Sequence, residues 1–303
     1  MSSAAEHAGR HVTLHVWRVP GRRLPPVLWR MARDPGRLRA LPGVTFGKLL
    51  GTGRDRRFGP TQADLGRWAA VLSWDDEQSA AGFEDSAVAR DWRSLSTGYC
   101  RIDLSPRTSR GTWAGQAPFD PTGPKTDDPA THSPETDGPE TDGPQTAGAQ
   151  IGGAGIGGAV LVLTRARLRP TRAAEFWRAI APVAATAATA PGLLATFGIG
   201  EAPVGWQGTV SVWRSARDLV EFAYHRSEHR RVIAATPVRR WYAEELFARF
   251  SVLSVAGDRG ILGWVDGGAT RTDDSGQTGD PTGNEDSTRD SRPATAAQTK
   301  EAP

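Results

Sequence analysis

Hydrophobic and polar positions along the chain change period in a fixed order, and the same order occurs twice. In the first block, residues 11–113, a strand-like run HVTLHVWRV precedes a helical stretch, and Pro42-Gly43 precedes an apolar strand. The strand RWAAVLSW, an amphipathic stretch and a last strand YCRIDLS complete the block. Runs of period two indicate strands and stretches of period 3.6 indicate helices. The pattern therefore predicts the order β-α-β-β-α-β.

The second block, residues 159–265, repeats this order. GAVLVLTRARL opens it, Pro191-Gly192 again precedes an apolar strand, GTVSVW matches AAVLSW, and LFARFSVLS is the final strand. Ser73-x-x-Asp76 and Ser215-x-x-Asp218 resemble capping boxes that would start the second helix of each block. The predicted fold class is α+β, with two tandem ferredoxin-like units packed as a pseudo-dimeric α/β barrel.

The segments outside the two blocks have a different composition. Residues 120–150 are dominated by Pro, Thr, Asp and Gly and contain almost no apolar residue. Such a segment cannot bury enough apolar surface to fold. We therefore predict a disordered linker over 114–158 and, from the same composition, a disordered tail over 266–303. The folded parts are predicted to be 11–113 and 159–265.

Charge and the single cysteine exclude several classes of protein. The chain has a formal charge of +3, but residues 120–150 and 267–303 hold 14 acidic and five basic residues, which leaves a basic excess elsewhere. The arginines are scattered and accompany no nucleic-acid-binding motif, so no nucleic-acid partner is predicted. Cys100 is the only cysteine, which excludes an internal disulfide. The N-terminus lacks a signal peptide and no apolar run reaches ~18 residues, so we expect a cytoplasmic protein. Membrane-peripheral contact is an open alternative.

Two motifs suggest cofactors but lack the required surroundings. Gly153, Gly155 and Gly158 form a G-x-G-x-x-G, yet they lead into a strand, whereas a dinucleotide fingerprint opens a helix. Cys100 could be a haem thiolate, but it lies in a predicted strand without a glycine-rich lead-in. We interpret the glycines as the end of the linker and Cys100 as a small strand residue.

The stretch from His225 to His229 allows three interpretations. It matches H-x-x-E-H, in which two imidazoles on one helical face bind zinc. A further acidic ligand would have to come from Glu244 or Glu245, and a ferredoxin-like unit is not the scaffold of such peptidases. One histidine could instead bind a haem iron, or both could lie on a solvated helix face.

With the blocks aligned, the chain resembles the spheroidene monooxygenase family of carotenoid biosynthesis. The matching runs of the second block are LTRARLRP (163–170), FW (176–177), PGLLATFGIGEAPVGWQGTVSVW (191–213), FAY followed by His229, and WYAEELFARF (241–250). In the first block LHVWRVP, PGVTFGKLLGTG and RGTW (110–113) match. The resemblance covers nearly all of both blocks and excludes the linker and the tail.

The resemblance implies a haem-containing oxygenase related to the antibiotic-biosynthesis monooxygenases. It implies the use of O₂ and of electrons from a reduced ferredoxin to place a keto group on a carotenoid such as spheroidene or on a similar apolar substrate. One alternative is a non-catalytic ferredoxin-like ligand-binding protein. The other is a haem enzyme of another reaction type, for instance a dehydration or haem breakdown. No catalytic acid or base is identified.

The resemblance also selects candidate cofactor ligands. It implies a histidine on the second helix of the unit as the axial ligand of the haem iron, which makes His229 the first choice and His225 the fallback. Haem propionates need cationic partners, and a guanidinium suits carboxylates. Arg165 and Arg167 alternate along the first strand of the second block, so both are predicted to face the propionates. Arg169, next to Pro170, is expected in water.

Overall fold

A computed structural model describes residues 11–53, 63–121, 158–172, 175, 190–201, 206–225 and 241–265. The first half contains β1 (His11–Arg18), α1 (Leu24–Arg39), β2 (Val44–Gly53), β3 (Ala63–Trp74), α2 (Glu77–Ala81), α3 (Ala87–Leu95) and β4 (Gly98–Gly111). The second half contains β5 (Val160–Leu168), β6 (Leu193–Gly200), β7 (Trp206–Trp213), α4 (Ala216–His225) and β8 (Tyr242–Gly257). The predicted α+β class is confirmed.

The described strands form a closed antiparallel barrel with the order β1-β3-β2-β6-β7-β5-β8-β4. Within each half, the first strand of the sequence lies between the third and the fourth, which gives β2-β3-β1-β4 and β6-β7-β5-β8. The halves meet at two seams of unequal length. β4 and β8 pair from Cys100–Gly257 to Gly111–Leu246, whereas β2 and β6 pair only at Gly51–Gly200 and Thr52–Ile199.

The barrel interior holds the largest apolar cluster of the described residues. Alternate strand residues point inward, as Leu246, Ala248 and Phe250 do on β8. The interior is completed by residues beyond β4: Trp113 and Phe119 are both fully buried, and the Phe119 ring lies 5.2 Å from that of Phe250. The interior of an eight-stranded barrel is just wide enough for side chains to fill it, and here apolar side chains occupy most of it.

The first residues of the predicted linker are among those that the structure describes. Residues 114–121 belong to the described part of the chain, and Phe119 anchors them in the barrel interior because its ring is removed from water there. The linker was predicted from the composition of residues 120–150, a range that does not include Phe119. The predicted linker from 122 to 157 and the predicted tail lie outside the described residues.

Deleting residues 121–150 and inserting a short flexible linker is expected to leave folding intact. The segment carries almost no apolar side chain, and loop-closure entropy changes slowly with loop length. The melting temperature, followed by circular dichroism, should stay within a few degrees of the parent value. Phe119→Ala is the matched contrast and should lower it, since it empties a filled interior site. A deletion variant that melts many degrees lower contradicts the prediction.

The two predicted capping boxes have different outcomes. The Ser215 hydroxyl accepts a hydrogen bond from the Asp218 amide at 3.1 Å and donates to the Asp218 carboxylate at 2.6 Å, so the N-cap predicted at Ser215 is confirmed. The box at Ser73 is wrong. Ser73 is a buried residue of β3, and Asp76 itself caps α2 by accepting a hydrogen bond from the Ser79 amide at 2.7 Å. β3 runs to Trp74, so the helix starts too late for Ser73 to reach it.

The helices of the first half cover the outer face of its sheet. α1 buries Val27, Asp34 and Leu38, while the Asp34 carboxylate accepts a hydrogen bond from Arg37 at 2.9 Å. Arg37 also donates to Asp91 of α3 at 2.9 Å, which joins the two helices. Among the described helices, none is both long enough and apolar enough to cross a membrane.

Candidate active site

A buried ionic cluster lies at one end of the barrel interior. Arg165 of β5 is 4% exposed, and its guanidinium donates to Glu201, just after β6, at 3.0 Å and to Glu244 of β8. Glu201 also accepts hydrogen bonds from Trp113 Nε1 at 2.6 Å and from Lys48 of β2 at 3.0 Å. Two cations thus face two carboxylates, and the cluster bridges the short seam between β2 and β6.

The Glu244 carboxylate of this cluster stays ionised at neutral pH. Burial alone would raise the pKa of Glu244, but hydrogen bonds from the Gly115 amide and the Arg165 guanidinium lower it to about 2. The Gly115 amide lies 2.8 Å from the Glu244 carboxylate. A carboxyl group with so low a pKa does not exchange protons near pH 7, so Glu244 is suited to holding the barrel end together and not to general acid-base chemistry.

Glu201 was not singled out from the sequence, and Glu244 was named only as a possible zinc ligand, although both lie in runs that carry the resemblance. Glu201 directly follows FGIG, and Glu244 lies in WYAEELFARF. An acidic residue at the end of an apolar strand, opposite an arginine predicted to point inward, is the signal that could have identified the pair.

The predicted propionate partners lie in different surroundings. Arg165 points into the barrel, where two protein carboxylates bind it. Arg167 is exposed, and a register shift between Arg167 and Leu168 ends the regular alternation of β5. Arg169 is exposed as expected and donates to the Tyr242 carbonyl at 3.1 Å. That Arg165 and Arg167 bind propionates stays a prediction.

The outer face of the second half has an apolar wall next to α4. The wall consists of Val162, Ala190, Leu193 and Trp213, and Leu219 of α4 is buried against it. Phe222 of α4 packs on this wall with its ring 5.1 Å from that of Trp213. α4 thus lies on the outer face of β5 and β7, opposite the barrel interior. His225 is the last described residue of α4, and His229 lies outside the described residues.

Arg249 is a cation on this same outer face. It follows Phe247 on β8, pairs with Val162 of β5, and lies with its guanidinium 5.6 Å from the Phe247 ring centroid. Its buried Nε has no hydrogen-bond partner among the described residues. A buried donor without a partner is unfavourable unless a ligand or water satisfies it. An apolar wall with such an arginine beside it fits a flat apolar group that carries carboxylates, as haem does.

The equivalent outer face of the first half is filled by protein. Trp17, Trp74, Trp92 and Phe83 are each at most 1% exposed, and the Trp17 and Trp92 rings stack 5.0 Å apart. His15 is fully buried among them, 4.1 Å from the Phe83 ring. Close-packed aromatic rings leave no space for a second planar ligand there.

His15 belongs to a buried chain of hydrogen bonds with a defined direction. Trp74 Nε1 donates to Thr13 Oγ1 at 2.9 Å, and Thr13 Oγ1 lies 2.8 Å from His15 Nε2. His15 Nδ1 lies 2.6 Å from the Tyr99 hydroxyl, which donates to the Glu84 carboxylate. Because a carboxylate can only accept, Tyr99 must accept from His15 Nδ1–H, and Thr13 donates to Nε2. The neutral Nδ1–H tautomer satisfies every group of the chain.

Burial, together with nearby positive charge, keeps His15 neutral. Burial, followed by the repulsion of Arg101, lowers the pKa of His15 well below its usual value. Burial, together with the hydrogen bond to Glu84, raises the pKa of Tyr99, so the phenol keeps its proton. The chain is therefore a fixed structural network at neutral pH.

Acidification from pH 6.5 to pH 5 is expected to destabilise the protein through His15. The folded state keeps His15 neutral, while the unfolded state takes up a proton below about pH 6.5, so the free energy of unfolding falls as the pH falls. The loss is limited to about 1.4 kcal/mol per pH unit, or roughly 2 kcal/mol by pH 5. Urea unfolding at several pH values measures it.

His15→Gln is the control, because glutamine does not titrate in this range. The variant should be less stable at pH 7, yet its free energy of unfolding should stay nearly constant between pH 6.5 and pH 5. Hydrogen bonds from His11 and Arg101 outweigh burial and lower the pKa of Asp103, so that group acts at lower pH. An unchanged pH dependence in His15→Gln argues against His15 as the source.

Cys100 lies in the barrel interior and is fully buried. Burial raises the pKa of its thiol to about 12. A protonated, buried thiol is neither a nucleophile nor a thiolate ligand. Its surroundings agree with its interpretation as a small strand residue.

Comparison with known proteins finds relatives over most of the chain. It is 30% identical over 216 residues to a spheroidene monooxygenase of Rubrivivax gelatinosus, covering 71% of this chain and 72% of that protein. It is 29% identical over 238 residues to the spheroidene monooxygenase of Rhodobacter capsulatus, covering 77% and 86% of the two chains. No protein-family model matches the chain.

Solved structures resemble the fold at much lower identity. An aldoxime dehydratase matches with a TM-score of 0.51 and 14% identity over 83% of this chain and 84% of that chain. A second aldoxime dehydratase, in complex with butyraldoxime, matches with a TM-score of 0.50 and 14% identity over 82% and 81% of the two chains. At this identity the likeness concerns the fold alone.

Proposed function

The chain belongs to the spheroidene monooxygenase family, and we propose that it is a haem-dependent monooxygenase that inserts oxygen, as a keto group, into a carotenoid or a similar long apolar substrate. The observation that carries the proposal is the identity of 30% to a spheroidene monooxygenase over 71% of the chain. As a member of this family the protein is an oxygenase. The haem, the keto product, the carotenoid substrate and a ferredoxin-type electron donor are parts of the proposal.

We infer that the barrel is built from two ferredoxin-like units that stand in for the two subunits of a dimer. The equal strand orders β2-β3-β1-β4 and β6-β7-β5-β8 support this inference. In this arrangement each unit has one outer face covered by helices. Among the described residues, the outer face of the second unit combines an apolar wall with an Arg249 Nε that has no hydrogen-bond partner there. We therefore propose one haem per chain, bound on the outer face of the second unit.

The helical period favours His229 over His225 as the iron ligand. Leu219 and Phe222 of α4 face the apolar wall. Position 229 follows Phe222 by seven residues, which is the spacing of about two turns of a helix, and His229 is the histidine that matches the family run. His225 is the fallback. When bound, haem would supply the redox chemistry that activates O₂.

The protein's own residues would hold and orient the cofactor. His229 would bind the iron with one neutral imidazole nitrogen, and Arg249 would donate hydrogen bonds to a propionate. The apolar residues Val162, Leu193 and Phe222 would exclude water from the macrocycle. Arg165 points into the barrel, away from this outer face, and binds Glu201 and Glu244, so the propionate role predicted for Arg165 and Arg167 is not part of this proposal.

The substrate is proposed to be apolar. One cavity among the described residues lies beside α1 and has both apolar and polar lining residues. The cavity measures about 330 Å³ and is lined by Met31, Pro35 and Arg39 of α1, by β2, and by Ala114, Gln116 and Glu201. This volume is at the small end of the range of ligand sites, so it would hold one end of a long polyene.

Turnover with purified components tests the proposed function. The chain is supplied with haem, O₂, reduced ferredoxin and spheroidene or a related carotenoid, and the product is identified by mass spectrometry. A product heavier by oxygen, with ¹⁸O incorporated from ¹⁸O₂, supports a monooxygenase. A Soret band at one haem per chain supports the proposed stoichiometry. Absence of a Soret band favours a non-catalytic binding protein, and a haem protein inert towards carotenoids favours a different reaction.

A further inference from the structure

The outer face of α1 exposes large apolar side chains. Leu28 and Trp29 are 52% and 53% exposed, although α1 is packed on the sheet through Val27, Asp34 and Leu38. Most large apolar residues of the described chain are buried or half-buried, and only five are strongly exposed. Two of these five are neighbours on one helix, which makes this face unusual for a surface in contact with water alone.

The same face is strongly basic. Residues 20–33 contain four arginines and no carboxylate. Arg22, Arg23 and Arg33 are exposed and form no ion pair within the described ranges. The Arg33 guanidinium lies 4.7 Å from the centroid of the Trp29 ring. Arg30 is paired with Asp91 and Asp34, so the positive charge near the apolar pair comes from Arg22, Arg23 and Arg33.

We propose that this face of α1 binds the surface of an anionic lipid membrane. A helix with exposed Trp and Leu among arginines is typical of an element that lies in the membrane interface. Tryptophan is favoured at the level of the lipid headgroups, and arginines are attracted to anionic lipids. An acidic protein partner would explain the arginines but would leave the exposed Leu28 and Trp29 without a role.

α1 connects the proposed membrane contact to the cavity of about 330 Å³. Leu28, Met31 and Pro35 are spaced by three and four residues, so they follow one another along one side of the helix. Met31 and Pro35 line the cavity of about 330 Å³, and Leu28 continues their row into solvent. α1 would thus bring the cavity rim to the lipid phase, where a carotenoid dissolves. This purpose rests on the proposed function, whereas the membrane contact itself does not.

Sedimentation with sucrose-loaded vesicles tests the contact. The full chain should bind vesicles of phosphatidylcholine with one quarter phosphatidylglycerol and should bind pure phosphatidylcholine much more weakly. Trp29→Ser should lower the partition coefficient about 10-fold. The double variant Arg22→Gln/Arg23→Gln should lower it by at least about 10-fold, since each arginine near an anionic surface contributes to binding.

Matched controls come from exposed residues far along the chain. Leu253 of β8 is 54% exposed, so Leu253→Ser removes an equally accessible leucine. Arg107→Gln/Arg110→Gln removes two exposed arginines of β4. Both controls should bind vesicles as the parent does, and circular dichroism should show that every variant is folded. Failure of the parent to bind anionic vesicles, or equal losses in variants and controls, overturns the proposal.

Two further outcomes separate the alternatives. Vesicle binding that depends on Arg22 and Arg23 but not on Trp29 would indicate electrostatic adsorption alone and would overturn insertion of the apolar pair into the membrane interface. Vesicle binding needs neither haem nor turnover, so its loss is distinct from failure of the proposed function. If both hold, Trp29→Ser should slow oxidation of a carotenoid embedded in vesicles several-fold and leave oxidation of a detergent-dissolved carotenoid unchanged.

Discussion

Replacing His229 by alanine is expected to abolish haem retention while the fold stays intact. In the proposed site His229 would supply the bond between the protein and the iron, so its removal would eliminate that bond. Alanine is a strong helix former, so the substitution itself should not destabilise a helical position. Haem titration followed by Soret absorbance measures retention, and circular dichroism checks the fold.

His225→Ala and Arg226→Ala are the controls for this experiment. His225→Ala should change haem binding much less, and Arg226→Ala tests whether loss of positive charge alone weakens binding. If His229→Ala retains an unchanged Soret band while His225→Ala loses it, the ligand is His225. If neither histidine variant changes the spectrum, both lie on a solvated helix face and the iron ligand is elsewhere.

Replacing Arg165 by methionine is expected to lower the free energy of unfolding by about 3–5 kcal/mol. Arg165 is 4% exposed and neutralises Glu201 and Glu244, so its removal leaves two carboxylates in the barrel interior with only Lys48 as a cation. An unpaired buried charge is costly because the protein interior solvates it poorly. Urea unfolding of the haem-free protein measures the loss, which separates a role in the barrel from a role in haem binding.

Arg167→Met is the matched control for Arg165→Met, because Arg167 is exposed on the same strand. Its effect should stay well below that of Arg165→Met. Adding Glu201→Gln and Glu244→Gln to Arg165→Met should restore part of the stability, since neutral amides no longer require a cation. A loss in Arg165→Met no larger than in the control contradicts the buried ionic cluster as a structural element.

The repeat in the sequence was sufficient to predict the fold class. Two β-α-β-β-α-β patterns, each with a Pro-Gly before its second strand, are local features that do not depend on contacts across the molecule. The capping box at Ser215 was predictable for the same reason, since its partners are three residues apart. Ser73 has the same local pattern and fails, because β3 extends over it and buries it.

The partners of the polar residues could not be predicted in the same way. Arg165 was expected to meet a cofactor, whereas Glu201 and Glu244, 36 and 79 residues away, reach it in the structure. Phe119 lies just before the linker-like composition, and no sequence pattern predicted its burial. It is buried because it packs in the barrel interior, which forms only when distant strands come together. His15 and Arg249 were not predicted from the sequence. No neighbouring residue indicates that His15 belongs to a buried chain of hydrogen bonds or that Arg249 lies beside an apolar wall.

Period and composition are properties of neighbouring residues, so the sequence by itself determined the α+β class, the two blocks and the family. Ion pairs and burial depend on which strands become neighbours. The same holds for the difference between the two halves, since the outer face of the first is filled by aromatic rings and that of the second has an apolar wall. Those neighbours are chosen by barrel closure, which joins β4 to β8 and β2 to β6 across more than a hundred residues of chain. Only the tertiary structure could decide these contacts, because their free energy arises after distant segments have been brought together.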